Sequence, residues 1–151
     1  MGFRPITPPC RRIGAEAGCR GVGASVNTPF MCPAKVLIVE DEFLIRLTLS
    51  EALVDDGFEV IEAATGAEAL QALPAHQDLA LLLTDVQLPG GMNGLEVARR
   101  ARAMRAEIPV IYVTGRPDSA AGAAATPNDV FIAKPYLPSQ ICAAARRLTG
   151  R

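Results

Sequence analysis

The residues of this chain best suited to chemistry each follow an apolar run. Glu40, Asp41 and Glu42 follow Val36-Leu37-Ile38-Val39, and Asp85 follows Leu79–Leu83 and Thr84. Thr114 follows Val110-Ile111-Tyr112-Val113, and Lys134 follows Val130–Ala133. Were these runs parallel strands, their carboxyl ends would converge on one sheet edge, where open α/β sheets place their ligand sites. Three clustered carboxylates (Glu40, Asp41, Asp85) repel one another, at roughly 4 kcal/mol for two unit charges 4 Å apart in an effective dielectric near 20. A cation must offset that. Oxygen donors without His or Cys point to a hard ion, Mg²⁺, whose other positions water or phosphate fill. Lys134 adds an ammonium and Thr114 a hydroxyl. Around a free carboxylate, such groups form a phosphoryl-binding set. Asp85 is then a nucleophile able to form an acyl phosphate. Taken singly, the Thr reads as a turn residue, the Lys as a solvated charge, and the acids after the first run as helix caps favoured by the dipole. Their joint occurrence at four run ends favours one site.

The elements that must position these groups follow from periodicity. Uninterrupted apolar runs bounded by turn signals read as strands buried on both faces. Such runs lead the strands expected at 36–39, 79–84, 109–114 and 130–133, and Phe58–Ala63, which includes Glu59 and Glu62, is read as a further strand. Between them, Phe43–Asp55 repeats Leu44, Leu47, Leu49, Leu53 and Val54 at helical spacing, with Gly57 as its stop. Thr65 with Glu68 is a capping box opening a helix that Pro74 is expected to shut at Leu73. Asn93 with Glu96 caps a helix expected over Gly94–Ala106. Arg116–Pro127, rich in Ala and interrupted by Gly122, specifies at most a short helix. Pro138 begins a last helix, Ser139–Leu148, with Ile141, Ala145 and Leu148 inward. Strand and helix alternate, predicting a small doubly wound α/β sheet.

Composition narrows the classes. The 151 residues suit one domain with a full core. The net charge of −1 carries no nucleic-acid signature, although Arg4, Arg11, Arg12 and Arg20 against Glu16 give residues 1–32 a charge of +3. Four scattered Cys (10, 19, 32, 142) without a CxxC pair predict neither a zinc site nor a disulfide framework, and point to a reduced, cytoplasmic setting. No apolar run reaches the roughly 20 residues of a membrane span, and no secretory h-region is present. Residues 1–33 lack periodicity and are expected to be a disordered tail or a start assigned too early, Met31 being the other start. A basic targeting arm is a third reading. Residues 34–149 are expected to form the domain, and the chain's end soon after the last helix leaves an expectation of no output domain.

VLIVEDE, LLLTDVQLPGGMNG, VIYVTG and FIAKPY, in that order, resemble the acidic-pair, phospho-acceptor, switch-threonine and lysine-proline motifs of response-regulator receiver domains. The resemblance covers Lys35 to about Leu148. It implies a flavodoxin-like, five-stranded parallel sheet of order 2-1-3-4-5. It implies Asp85 as phospho-acceptor, with Glu40, Asp41, Asp85 and the Gln87 backbone carbonyl as Mg²⁺ ligands. Thr114 would be the hydroxyl that shifts toward the phosphoryl group and Lys134 its ion-pair partner. Phe131 occupies the place of the rotating aromatic, and Lys134–Pro135 would be a cis peptide. The partners implied are a sensor histidine kinase or phosphotransfer protein and a downstream protein target, with no direct nucleic-acid or membrane contact. The loop LPGGMNG is a residue longer and richer in glycine than the commonest form. With Thr114-Gly115 it resembles stand-alone receivers paired with HWE/HisKA2-type kinases of alphaproteobacteria. Phe131 lacks the hydroxyl of a Tyr. Gln87 and Arg116, both long, stand where the family tunes attack by water, which predicts slow autodephosphorylation.

Two rivals belong to other classes. An aspartyl-phosphate hydrolase shares the nucleophile, Lys and Thr, but usually needs a second Asp two positions on, where this chain has Gln87. An interaction module that is never phosphorylated has no use for the full acidic set. A dinucleotide site would need GxGxxG after the first strand, and the Gly90–Gly94 cluster follows the third. The expectation is a phosphorylation-activated switch rather than a turnover enzyme.

Overall fold

The computed structural model describes residues 32–116 and 126–151. Nearly all of the expected tail (1–31), and residues 117–125 of the Ala/Gly-rich segment, lie outside the described residues. The elements run β1 (Lys35–Val39), α1 (Phe43–Asp55), β2 (Glu59–Ala63), α2 (Gly66–Ala75), β3 (Leu79–Asp85), α3 (Gly94–Met104), β4 (Val110–Thr114), β5 (Asp129–Ala133) and α4 (Pro138–Thr149). The strands pair in parallel in the order β2-β1-β3-β4-β5, as expected.

The apolar runs lack alternation because both faces of the sheet are covered. Val36, Ile38, Leu81, Leu83, Ile111 and Val113 point to one side, against Leu49 and Leu53 of α1 and Ile141 and Ala145 of α4. Leu37, Val39, Leu82, Val110 and Tyr112 point to the other, against Ala69 and Leu73 of α2 and Val97, Ala98 and Ala101 of α3. Each buried Val, Leu or Ile side chain contributes about 1.5–3 kcal/mol. Opposite faces of the central strands thus hold different helices.

Helix termini largely follow the expected signals. Thr65 Oγ1 accepts the Glu68 N–H at 3.1 Å and Asn93 Oδ1 accepts the Glu96 N–H at 2.9 Å. The capping box is displaced by a residue, since the Glu68 carboxylate accepts from the Ala64 N–H at 2.7 Å instead of the Thr65 N–H. Gly57 takes φ +89°, the left-handed turn that ends α1.

Two helix ends differ from expectation. Pro74 does not shut α2, which continues to Ala75. The His76 N–H still reaches the Ala72 and Leu73 carbonyls, so the missing Pro74 donor falls in the last turn and interrupts little. Helix α3 stops at Met104 rather than Ala106, because Arg105 turns extended and sends its guanidinium to the Gln77 and Leu79 carbonyls. On α1, Leu49 and Leu53 are buried, but Leu44, Leu47 and Val54 face solvent despite their spacing. Among the described residues no helix is long and apolar enough to cross a membrane.

One polar tie holds β5 in place. The Asp129 carboxylate, buried at the start of β5, pairs with Arg102 of α3 and accepts the Thr126 N–H at 2.7 Å. Breaking such a buried pair costs about 3–5 kcal/mol. The strand that ends at Lys134 is thereby anchored at its far end.

Candidate functional site

Parallel register brings the chemical residues level. Val39 pairs with Thr84, so Glu40 and Asp85 emerge side by side at the ends of β1 and β3. Asp85 pairs with Val113, and Thr114 with Ala133, which sets Thr114 and Lys134 beside them. The Lys134 N–H donates to the Thr114 carbonyl at 2.9 Å, joining the last two ends. No residue of this set depends on a long flexible loop.

Glu40, Asp41 and Asp85 each offer a carboxylate oxygen, all within 4.8 Å of one another. Glu40 is 3 % and Asp85 6 % exposed, whereas Asp41 faces solvent. Glu40 Oε1 accepts the Glu42 N–H at 3.2 Å. Burial above all, with the charge of Asp85 added, pushes the Glu40 carboxyl up to about 7, even though the Glu42 N–H and the Lys134 ammonium oppose the shift. Desolvated anions so close together call for a cation. An oxygen-only set, with two members buried and one open to water, fits a hard divalent ion that keeps part of its hydration shell.

The Lys134 ammonium lies 2.5 Å from Asp85 Oδ2. Burial works against its charge, but the hydrogen bond to Asp85 and the charges of Asp85, Glu40 and Asp41 prevail and raise its pKa. Asp85 Oδ1 accepts the Gln87 N–H at 2.9 Å. Both oxygens of the carboxylate are therefore oriented. Thr114, 1 % exposed, accepts the Arg116 N–H on its hydroxyl oxygen at 3.0 Å. Lys134–Pro135 is cis.

Phe131 lies on β5, level with Tyr112 of β4. It stacks on Tyr112, with ring centroids 4.7 Å apart and an interplanar angle of 14°. Tyr136, just beyond the cis bond, lines an apolar groove of about 570 Å³ with Leu44, Ile45, Thr48 and Leu49. Its hydroxyl oxygen is buried without a hydrogen-bond partner. Burial, with Glu40 and Asp85 nearby, drives its pKa up to about 12.

Two positioning contacts were missed in the sequence. Thr84 donates its hydroxyl to the Asp85 carbonyl at 2.9 Å, and Gly94, the first residue of α3, packs against that same carbonyl. A Cβ at Gly94 would overlap the carbonyl oxygen and the Thr84 hydroxyl. A glycine opening a helix, where most residues form helix better, was the available signal.

A five-stranded 2-1-3-4-5 sheet with an acidic pocket and a paired lysine at its carboxyl edge defines a class. Residues 36–146 match the family model of the response regulator receiver domain, and the chain belongs to that family. It is 38 % identical over 119 residues to the aerobic respiration control protein ArcA of Escherichia coli K12, covering 77 % of this chain and 48 % of ArcA. The chain thus spans about half the length of the curated relatives it matches. Among solved structures it is similar to a response regulator receiver protein of Sinorhizobium medicae, with TM-score 0.72 and 25 % identity over 78 % of this chain and 95 % of that one. It is also similar to the chemotaxis response regulator CheY4 of Vibrio cholerae, with TM-score 0.64 and 29 % identity over 77 % and 98 % of the two chains. Members of this family are phosphorylation-activated switches of two-component signalling. They are partnered by histidine kinases or phosphotransfer proteins and by downstream effectors.

Proposed function

We propose that Asp85 is the residue phosphorylated in this chain, that Glu40, Asp41, Asp85 and the Gln87 carbonyl hold Mg²⁺, and that Thr114 and Lys134 read the new charge. The observation that carries this is the oriented Asp85 carboxylate, hydrogen-bonded on both oxygens and set among two further acids and an ammonium. An Asp85 oxygen attacks the phosphorus of a phosphohistidine or small phosphodonor. The new O–P bond forms as the bond to the leaving nitrogen or oxygen breaks, and the leaving group departs with that electron pair. Bound Mg²⁺ supplies charge neutralisation for the phosphoryl oxygens.

Lys134, already on Asp85, follows the added negative charge as an ion-pair partner. The Thr114 hydroxyl can turn from the Arg116 N–H toward a phosphoryl oxygen and vacate the space it fills. Phe131, stacked on Tyr112 behind it, is the aromatic that responds. Such coupling shifts a pre-existing equilibrium of the surface around β5 and α4, where a downstream protein reads it. Residues 34–149 act as this receiver module in a cytoplasmic setting. Acceptance of one phosphoryl group per cycle, without turnover of a separate substrate, fits Gln87 at the position where aspartyl-phosphate hydrolases carry a second acid. Beryllofluoride, which mimics a phosphoryl group, tests the reading. Mg²⁺-dependent binding lost in Asp85→Asn supports it, and binding retained in that variant overturns it.

A further inference from the structure

Glu40 is held by its backbone as well as its carboxylate. Its N–H donates to the Ala63 carbonyl of β2 at 3.1 Å. Its own carbonyl accepts from Arg46 Nη1 at 2.8 Å. The same guanidinium donates from Nε to Glu62 Oε2 of β2 at 3.2 Å, and lies 5.6 Å above the Phe43 ring. The Arg46 N–H also closes the first turn of α1 on the Glu42 carbonyl at 3.0 Å. One planar fork, only 14 % exposed, thus bridges the end of β1, the edge strand β2 and the first turn of α1.

The charge of Arg46 is directed at Glu62, and its bond to Glu40 goes to the neutral carbonyl. It orients the turn carrying Glu40 and Asp41 without forming an ion pair with their carboxylates. A lysine has a single ammonium nitrogen in place of the planar fork, and so lacks the two separate nitrogens that meet the Glu40 carbonyl and the Glu62 carboxylate.

We propose that Arg46 is the positioning residue of the acidic pair: anchored on Glu62, it fixes the Glu40 carbonyl and so presets the Glu40–Asp41 turn for a divalent cation. This rests on the reading of Glu40, Asp41 and Asp85 as that cation's site. Electrostatics and positioning predict opposite signs. Removing a positive charge near the site tightens cation binding if Arg46 acts as a charge, and loosens it if Arg46 holds the ligands.

The test is calorimetric titration of Mg²⁺ into the whole chain, below the melting temperature of each variant. Arg46→Ala is expected to bind Mg²⁺ about 10-fold more weakly, the scale of losing a group that orients a metal ligand. Arg46→Lys is expected to fall between it and wild type. Unchanged or tighter binding in Arg46→Ala overturns the proposal, as does a lowered melting temperature with unaltered Mg²⁺ affinity. If Arg46→Ala does not fold, Arg46→Lys decides, weaker binding supporting the proposal and wild-type affinity overturning it. Wild type that binds no Mg²⁺ refutes the cation-site reading itself, a different failure from wild type and Arg46→Ala binding alike.

Discussion

Gly94 and Asp85 meet backbone to backbone, the start of α3 lying on the carbonyl of the residue that ends β3, with no space for a Cβ between them. The Gly94 N–H donates at 2.9 Å to the Val86 carbonyl, one residue on, so the approach is locked. Gly94→Ala must displace α3 or the end of β3. Overpacking of this kind costs about 1–3 kcal/mol. A lower urea midpoint, together with slower phosphorylation, is expected. A variant as stable and as reactive as wild type would show that the helix start yields freely.

Lys134 is the positive charge the described residues place directly on the acidic cluster. Without added Mg²⁺, Lys134→Ala is expected to lose about 1–3 kcal/mol, between the exposed and buried limits for ion pairs. Millimolar Mg²⁺ should restore most of that loss. Thermal melts of both proteins with and without Mg²⁺ measure it, and a deficit unaffected by Mg²⁺ would contradict the account.

Asp56, at the end of α1, pairs with Arg146 of α4 on the side of the sheet away from α2 and α3. The Arg146 hydrogen bond above all, with the charges of Arg146 and Arg151 added, holds the Asp56 carboxyl below its usual 3.8 against the opposing effect of burial. A depressed folded-state value contributes stability that is fully present above the unfolded value and lost as pH falls through the folded one. Wild type should therefore lose more stability than Asp56→Asn between about pH 5 and pH 2. Parallel pH profiles of the two urea midpoints would contradict this.

The buried, partnerless Tyr136 hydroxyl leads to a conservative test. An unsatisfied buried polar group costs about 1–3 kcal/mol. Tyr136→Phe should match or exceed wild type in melting temperature without Mg²⁺. A clear loss would mean that the hydroxyl has a partner in solution.

Much of the site was legible because a parallel sheet converts strand ends into neighbours. Glu40, Asp41, Asp85, Thr114 and Lys134 needed only the positions where apolar runs stop. The sheet order and the cis Lys134–Pro135 bond followed from the motifs those stops carry. Arg46 was not legible, since both of its acceptors depend on how α1 returns over β1 and β2. Gly94 was visible as a residue, but its close approach arises only when α3 docks on β3. Leu44, Leu47 and Val54 kept apolar spacing yet stay exposed, because two neighbouring strands and α4 leave room for only one narrow face of α1. Arg105 ended α3 early through carbonyls over twenty residues away in the chain, a contact no local signal encodes.

The most direct test of the account is transfer of a phosphoryl group to the whole chain. Incubation with acetyl phosphate and Mg²⁺, followed by intact mass and peptide mapping, should show one acid-stable, base-labile phosphoryl group on Asp85. That label should be absent in Asp85→Asn and in wild type stripped of divalent ions. A label of equal extent in Asp85→Asn, or none in wild type, would contradict the account at its centre.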